Sequence, residues 1–177
     1  MILTGNEIYK EINTGRIVID NFKIENLEPN SYGFLIGNKI LEYTDYNLDF
    51  KKTPTVVEKE IPKDGFVLEP NKFYLASTYE RMGSNFYAAT LLADLSVSSM
   101  GMWIQHSAPL GHHGAIIPWT LEIRVLEKIR IYPFMKIGKI AFWTLQGEND
   151  KYNGKYIGSE TVVASRFSQD FSINRKR

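Results

Sequence analysis

Short runs of β-branched and aromatic residues, each ended by Gly, Pro, Asn or Asp, follow one another closely along this chain. In the first half they occupy residues 16–19, 32–36, 39–43, 55–58, 65–68 and 72–78, and two more occupy residues 128–132 and 139–144. Such runs indicate strands, and the interruptions indicate turns. Short strands at close intervals predict a mainly antiparallel barrel or sandwich.

The bulk composition fits a single globular domain and excludes several classes of partner. The chain has 177 residues, 44% of them apolar, so one core can bury most of its apolar surface. The formal charge is +1, from 21 basic and 20 acidic residues, which argues against nucleic acid or an anionic membrane as the main partner. No run approaches the length of a membrane span, and no leader is visible at the N-terminus.

The absence of cysteine restricts the chemistry further. It excludes disulfides, thiolate metal sites and a cysteine nucleophile, and it suits a cytoplasmic protein. The three histidines also predict no metal site, because no carboxylate-rich pattern accompanies them.

Three segments around the predicted strands have a recognisable character. Thr4 and Glu7 have the spacing of a capping box, which predicts a short N-terminal helix ending before Gly15. Residues 44–54 predict a loop or arm. Residues 147–177 begin with glycines and tyrosines among polar residues and predict a C-terminal tail that closes over a site.

Residues 94–125 carry the strongest functional pattern. They contain all three histidines, two turns and one carboxylate, Glu122, on a predicted strand. By the period of two, Leu121, Ile123 and Val125 share one face of that strand, while Thr120, Glu122 and Arg124 share the other. The second face is either a wet surface with ordinary charges or the wall of a site.

Five segments, in this order, resemble the dCTP deaminase branch of the dCTP deaminase/dUTPase superfamily. They are S-Y-G-F-L-I-G-N (31–38), G-M-W-I-Q-H-S-A (101–108), G-A-I-I-P-W-T-L-E (114–122), Y-P-F-M-K-I-G-K-I-A-F (132–142) and K-Y-I-G-S-E-T-V-V-A-S-R (155–166). The resemblance implies a distorted, dUTPase-like antiparallel β-barrel assembled as a homotrimer, with active sites shared between subunits. It also implies zinc-free hydrolytic deamination of a cytosine deoxynucleotide, with Mg²⁺ bound through the phosphates. The enzyme would act in the cytoplasm, or in the host cytoplasm if the chain is viral.

The resemblance also assigns roles to residues. Glu122 would be the catalytic general base and acid, and the remaining residues would bind substrate. The backbone around Ser107, Ala108 and Thr120 would read the pyrimidine. The other predicted substrate-binding residues are Ser96, Ser98, Ser99 and His112 in the central stretch, and Tyr152, Lys155, Tyr156 and Ser159 in the tail.

The chain departs from the family pattern where phosphate-binding residues are expected. An Arg-Ser-Ser-x-x-Arg run is matched here by Asp94, Leu95, Ser96 and Ser99, so both arginines are missing. Leu110 replaces a third arginine, His112 an aspartate, and Ser159 a glutamine. Each missing charge-assisted contact is worth roughly 1.5–3 kcal/mol.

These departures leave alternatives open. The substrate is dCTP or a variant with fewer phosphates. Alternatively, the chain is a catalytically weakened homologue that binds nucleotide or regulates a partner, or it is a dUTP pyrophosphatase.

Overall fold

A strongly curled antiparallel sheet, open on one side as a half-barrel, forms the body of the molecule. The computed structural model describes residues 1–148 and 150–173. Helices occupy α1 (Gly5–Asn13), α2 (Leu95–Ser99) and α3 (Ser168–Ile173), and a 3₁₀ turn occupies Ile24–Asn26. The strands are β1 (Ile17–Ile19), β2 (Leu27–Glu28), β3 (Ser31–Tyr43), β4 (Val56–Glu60), β5 (Phe66–Leu68), β6 (Tyr74–Ser84), β7 (Tyr87–Ala93), β8 (Met102–Trp103), β9 (Leu110–Gly111), β10 (Ile116–Val125), β11 (Ile129–Ile131) and β12 (Lys136–Thr144).

Long-range strand pairing sets the curl. The main path runs β8-β10-β6-β3-β12-β7-β9, with β1 paired to β6 and with β2 and β4 paired to β3; β5 and β11 form a separate ribbon. All of these pairs are antiparallel. The prediction of a mainly antiparallel, barrel-like fold with a short N-terminal helix is therefore confirmed.

Helix α1 begins and ends as its sequence predicts. The Thr4 hydroxyl accepts a hydrogen bond from the backbone N–H of Glu7 at 3.3 Å, which satisfies one of the free amides of the first turn. Two residues beyond the helix, Gly15 has a φ of 74°, a left-handed conformation that favours glycine. Ile8 is fully buried and attaches the helix to the core.

Strand β3 differs from its prediction. Residues 32–36 and 39–43 were expected to form two strands, and this was wrong, because they form one strand of 13 residues. Its pairing with β6 changes register between Ile36 and Ile40, so Gly37 and Asn38 lie in a bulge rather than a turn. A Cβ at Gly37 would lie 3.2 Å from the Ser77 hydroxyl, which explains the small residue there.

Strand β7 was not predicted. It contains three alanines, which have little intrinsic preference for strands. It pairs with β12 over seven positions, from Gly138 opposite Ala93 to Thr144 opposite Tyr87. Tertiary pairing, which the local sequence does not display, therefore decides its structure.

The core lies inside the curl and is continuous from α1 to β12. Its largest fully buried side chains include Tyr32, Phe34, Tyr74, Met82 and Phe142. A smaller cluster of Leu41, Leu75 and Val162 lies where the C-terminal tail meets the sheet. Helices long and apolar enough to cross a membrane do not occur in the described ranges.

Candidate active site

Strand β10 carries Glu122 on a face distinct from the core. Leu121 and Ile123 are fully buried and Val125 is 2% exposed, whereas Thr120 and Glu122 are partly buried and Arg124 is exposed. The predicted division of the strand into two faces is confirmed. The face of Glu122 is a wall, because Thr120 and Glu122 line a cavity.

Two backbone amides hold the Glu122 carboxylate. Oε2 accepts hydrogen bonds from the N–H of His106 at 2.9 Å and from the N–H of Ser107 at 3.4 Å. The backbone N–H of Glu122 itself donates to the Ile104 carbonyl at 3.0 Å, which connects the strand to the segment after β8. Hydrogen bonds to one oxygen fix the orientation of a carboxylate and leave the second oxygen available for chemistry.

The cavity beside Glu122 has a volume of about 460 Å³ and is lined mainly by apolar and aromatic side chains, with a few polar ones among them. Its lining comprises Tyr43, Phe73, Leu75, Gln105, Ala108, Leu110, His112, Ala115, Ile117, Pro118, Trp119, Thr120, Glu122, Tyr152, Tyr156, Ser159, Val163, Ala164 and Ser165. A concave, largely apolar space with a few convergent polar groups is typical of a small-molecule site. Glu122 is the sole carboxylate in this lining, which contains no lysine or arginine among the described residues.

The structure brings most of the predicted site residues to this cavity. Lining it are Ala108, His112, Thr120, Glu122, Tyr152, Tyr156 and Ser159. Ser107 lies beside it, since its backbone N–H donates to Glu122. The prediction of roles for these residues stays a prediction, but their proximity is a property of the fold.

The three serines of α2 lie outside the lining of this cavity. Asp94 caps the helix, accepting a hydrogen bond from the Ser96 N–H at 3.0 Å. The Ser98 hydroxyl donates to the Leu95 carbonyl at 3.1 Å, and the Ser99 hydroxyl donates to the Ser96 carbonyl at 3.2 Å. Within one chain these hydroxyls stabilise the turn, and their predicted contact with phosphate stays a prediction.

An ion cluster fixes the start of α2. Lys136 and Lys139 on β12 each contact Glu28, at 2.9 and 3.0 Å, and approach Asp94 at 3.8 and 3.9 Å. Burial opposes ionisation of Glu28, but hydrogen bonds from Lys136, Ser31 and Lys139 outweigh it and lower the pKa of Glu28 from 4.5 to about 2. Asp94 therefore stands among cations and has a structural role here.

The beginning of the tail docks on the turn between β9 and β10. The Tyr152 N–H donates to the His113 carbonyl at 3.0 Å, and the Tyr152 ring stacks on His112 with centroids 5.5 Å apart and planes at 12°. Gly114 has a φ of 91°, and a Cβ there would lie 2.9 Å from the Tyr152 nitrogen. The turn is thus shaped so that the tail backbone can approach closely.

The rest of the tail is fastened to the sheet beside the cavity. Val162 is buried, the Val163 N–H donates to the Thr120 hydroxyl at 3.3 Å, and the Ser165 N–H donates to the Tyr43 hydroxyl at 3.0 Å. Lys155, which lies earlier in the tail, forms an ion pair with Asp170 near its end at 2.5 Å. Lys155 is not among the lining residues, so its charge is used within the tail.

Sequence reasoning missed twelve of the 19 lining residues, and the largest polar or aromatic side chains among them are Tyr43, Phe73, Gln105 and Trp119. Trp119 was missed because a register shift between Pro118 and Thr120 breaks the period of two, so adjacent residues face the same space. Pro118 within a strand was the available signal for that bulge. A Cβ at Gly111 would lie 2.7 Å from the Trp119 ring, so the small residue on β9 lets the indole pack there.

A second cavity of about 400 Å³ lies near the first. It is lined by Asn71, Trp103, His106, Arg124, Val125 and Leu126. The His106 ring lies 5.9 Å from the Phe73 ring, which itself lines the first cavity. Arg124 is exposed and follows Glu122 by two residues on strand β10.

A curled antiparallel sheet that carries one oriented carboxylate in a largely apolar cavity defines a β-barrel-type protein with a small-molecule site. Comparisons with known proteins identify the family. The dCTP deaminase-like family profile matches residues 2–145. The chain therefore belongs to the dCTP deaminase-like family.

Curated relatives match along nearly the whole chain. A protein of Clostridium botulinum (strain Alaska E43 / Type E3) named "dCTP deaminase, dUMP-forming" is 39% identical over 173 residues, covering 97% of this chain and 99% of its own. Proteins of the same name from Hathewaya histolytica and Cytophaga hutchinsonii are 37% and 35% identical over 172 residues, with the same coverage.

A solved structure supports the fold. The crystal structure of 2'-deoxycytidine 5'-triphosphate deaminase from Agrobacterium tumefaciens superimposes with a TM-score of 0.63 at 16% identity. The match covers 80% of this chain and 47% of that one.

Proposed function

We propose that this chain catalyses the hydrolytic deamination of the cytosine ring of dCTP, releasing dUTP and ammonia, in pyrimidine deoxynucleotide metabolism. The observation that carries the proposal is Glu122, held by two backbone amides at the wall of a cavity large enough for a nucleoside. The names of the curated relatives, which match 97% of the chain, support deamination of dCTP.

The chemistry assigns Glu122 two successive roles. The carboxylate first accepts a proton from a water molecule, whose oxygen attacks C4 of the ring. The same group then delivers the proton to ring N3, giving a tetrahedral intermediate with a hydroxyl and an amino group on C4. Transfer of the hydroxyl proton to the amine lets ammonia leave, and the C4 carbonyl of uracil forms.

Backbone groups near Glu122 suit recognition of a flat, polar ring. Ala108 and Thr120 line the cavity, and the Ser107 N–H already orients the carboxylate. We assign to these three residues the reading of the pyrimidine edge. The aromatic and aliphatic lining, including Phe73 and Trp119, would exclude bulk water from the reacting carbon.

The phosphates need a separate explanation, because the lining lacks lysine and arginine among the described residues. We propose that the serines of α2 contact them from a second copy of the chain, in the homotrimer that the family resemblance implies. Arg124, on the same strand as Glu122, is a further source of positive charge. We also assign to His112 a contact with the sugar or phosphates, because it lines the cavity and stacks on Tyr152.

Magnesium fits this proposal as part of the substrate. Within residues 1–148 and 150–173, no group of three or more His, Asp or Glu side chains is arranged to hold a metal ion. We therefore propose that Mg²⁺ is bound through phosphate oxygens of the nucleotide, which reduces the charge that the protein must balance.

The tail belongs to the same proposal. Tyr152, Tyr156 and Ser159 already line the cavity, and Lys155 lies between them in sequence. Asn149 and residues 174–177 of the predicted tail, residues 147–177, lie outside the described residues. We propose that residues 150–173 open to admit nucleotide and close over it, which excludes water during the reaction.

A substrate panel tests the proposal. Purified protein with Mg²⁺ is expected to release ammonia from dCTP and to lower the absorbance of the cytosine ring. Assays of dCMP and deoxycytidine in parallel would establish how many phosphates the site requires. No ammonia from any cytosine compound would instead favour a nucleotide-binding or regulatory homologue.

A second hydrolysis, of dUTP to dUMP and pyrophosphate, is favoured by the names of the relatives, which describe them as dUMP-forming. Among the described residues the cavity lining offers one carboxylate, and His112 stands at the position where the family resemblance implies an aspartate. A pyrophosphate assay with dCTP and with dUTP decides whether the chain stops at dUTP or continues to dUMP.

A further inference from the structure

One residue of the cavity lining, Gln105, carries a buried hydrogen-bond acceptor that the mechanism above does not use. Gln105 lines the cavity, and its Oε1 atom is buried with no hydrogen-bond partner in the described part of the chain. A buried polar atom without a hydrogen-bond partner lowers the stability of the fold by about as much as a lost hydrogen bond. Such atoms are therefore rare in native proteins and often mark a position where a ligand binds.

The chemistry of the neighbouring backbone fixes which end of the amide is free. Gln105 Nε2 donates to the Thr120 carbonyl at 3.4 Å. Reversing the amide would place two acceptors against each other, so the oxygen is the unpaired atom. The missing partner must therefore be a hydrogen-bond donor.

Both the side chain and the backbone of Gln105 lie next to residues that adjoin Glu122. Its side chain contacts Thr120, which precedes Glu122 by two residues on β10. Its backbone precedes His106, whose N–H donates to the Glu122 carboxylate at 2.9 Å. To meet a ligand in the cavity, Oε1 must turn toward it, and the Gln105 side-chain hydrogen bond that this breaks is the long 3.4 Å contact of Nε2 with the Thr120 carbonyl.

Resting on the proposed deaminase function, we propose that Gln105 Oε1 accepts a hydrogen bond from the exocyclic 4-amino group of the substrate and thereby discriminates cytosine from uracil. The ring position nearest Glu122 in that reaction is C4, which bears an amino donor in cytosine and a carbonyl acceptor in uracil. An acceptor on the protein attracts the first and repels the second. Gln105 thus favours binding of the cytosine ring over the uracil ring.

Binding measurements test this role without turnover. In the Glu122→Gln background, dissociation constants for α,β-imido-dCTP and α,β-imido-dUTP are measured by calorimetry, with and without Gln105→Met. Methionine keeps the length of glutamine and removes its polar atoms. The preference for the cytosine compound is expected to fall about tenfold, the value of one hydrogen bond. A change of less than twofold overturns the proposal.

Three controls separate this role from a structural one. Gln146→Met makes the same change at an exposed position outside the cavity lining and is expected to leave the preference unchanged. Gln105→Glu keeps an acceptor in place and is expected to retain the preference; its loss there contradicts the proposal even if Gln105→Met fails to fold. The unfolding temperature of Gln105→Met is expected to equal or exceed that of the parent, since an unpaired buried atom is removed.

Ammonia release by the unmodified chain tests the underlying function separately. If ammonia is released and the binding preference does not depend on Gln105, only the role of Gln105 fails. If no ammonia is released, the deaminase proposal fails, and the binding preference still shows whether Gln105 reads the base.

Discussion

The cavity beside Glu122 and the turn of α2 both carry polar residues, yet the hydrogen-bonding groups of these residues are used differently. In the described part of the chain, Gln105 Oε1 in the cavity has no hydrogen-bond partner, and Glu122 accepts only through Oε2. At α2, by contrast, the Ser98 and Ser99 hydroxyls donate within the turn. Unused donors and acceptors in a concave space indicate a ligand, whereas satisfied ones indicate local structure.

The difference extends to charge. The cavity lining holds one carboxylate without an opposing lysine or arginine among the described residues. The start of α2 lies in a cluster where Glu28 and Asp94 face Lys136 and Lys139. We therefore expect substitutions at the cavity to affect catalysis, and substitutions in the ion cluster that holds the start of α2 to affect mainly stability.

The largest effect is expected from Glu122→Gln. Removing the group that moves protons should lower kcat for ammonia release from dCTP about a thousandfold, the usual range for general acid–base catalysis. The unfolding temperature should change by little, because Gln can still accept the two amide hydrogen bonds. Ammonia release within tenfold of the parent rate would remove Glu122 from the mechanism.

A smaller effect is expected where the tail meets the cavity. Tyr152→Ala removes the stack on His112 and the hydroxyl that accepts from the Tyr156 N–H at 3.4 Å. An aromatic pair and this long hydrogen bond together are worth about 1.5 kcal/mol, so KM for dCTP should rise roughly tenfold. Tyr152→Phe, which keeps the ring, is the matched control and should raise KM less than threefold. Equal effects from both variants would mean that the stack does not hold the cavity closed.

The ion cluster at α2 should affect stability and its pH dependence. The pKa of Glu28 is lowered to about 2 in the folded chain, so its stabilising effect is present above the unfolded value of 4.5 and is lost as pH falls toward 2. Glu28→Gln should lower the free energy of unfolding by about 1–2 kcal/mol at pH 7, after allowance for the partly exposed Lys136. Urea unfolding between pH 7 and pH 3.5 should show this difference shrinking below pH 4.5.

The control for this cluster is an exposed pair. Glu58→Gln breaks the 2.7 Å contact with Lys39 at a position that is about half exposed, where ion pairs contribute less than about 1 kcal/mol. Both variants should keep kcat within twofold of the parent. A large loss of kcat in Glu28→Gln would show that the α2 region takes part in catalysis within the chain.

The smallest effect distinguishes the serines from one another. The Ser96 hydroxyl donates to no acceptor within residues 1–148 and 150–173, whereas the Ser98 hydroxyl donates to the Asp94 and Leu95 carbonyls. If α2 contacts phosphate from a second copy, Ser96→Ala should raise KM for dCTP about threefold and Ser98→Ala less than twofold. No change in KM with either variant would assign α2 a purely structural role.

Much of the fold was predictable because short-range sequence patterns determine it. The capping box at Thr4, the face pattern around Glu122 and the mainly antiparallel sheet are confirmed. The continuous strand β3 and the alanine-rich strand β7 were not predictable, because their partners lie far away in the sequence. Pairing between distant strands is information that a window of neighbouring residues does not contain.

The site was predictable to the extent that it follows strand period and family resemblance. Seven predicted residues meet in one cavity, but Trp119 and Gln105 were missed. The bulge after Pro118 turns Trp119 into the same space as Thr120, which no regular period anticipates. Gln105 became visible only when its hydrogen-bond partners were known, because an unpaired atom is a property of the folded chain.

The central claim is that Glu122 meets the C4 edge of a cytosine ring inside the 460 Å³ cavity. The most direct measurement is a crystal structure of the Glu122→Gln variant with α,β-imido-dCTP and Mg²⁺. We predict that C4 of the ring lies within about 4 Å of the side chain at position 122, or is joined to it by one water molecule. A ring bound elsewhere, with the cavity empty, would contradict the account.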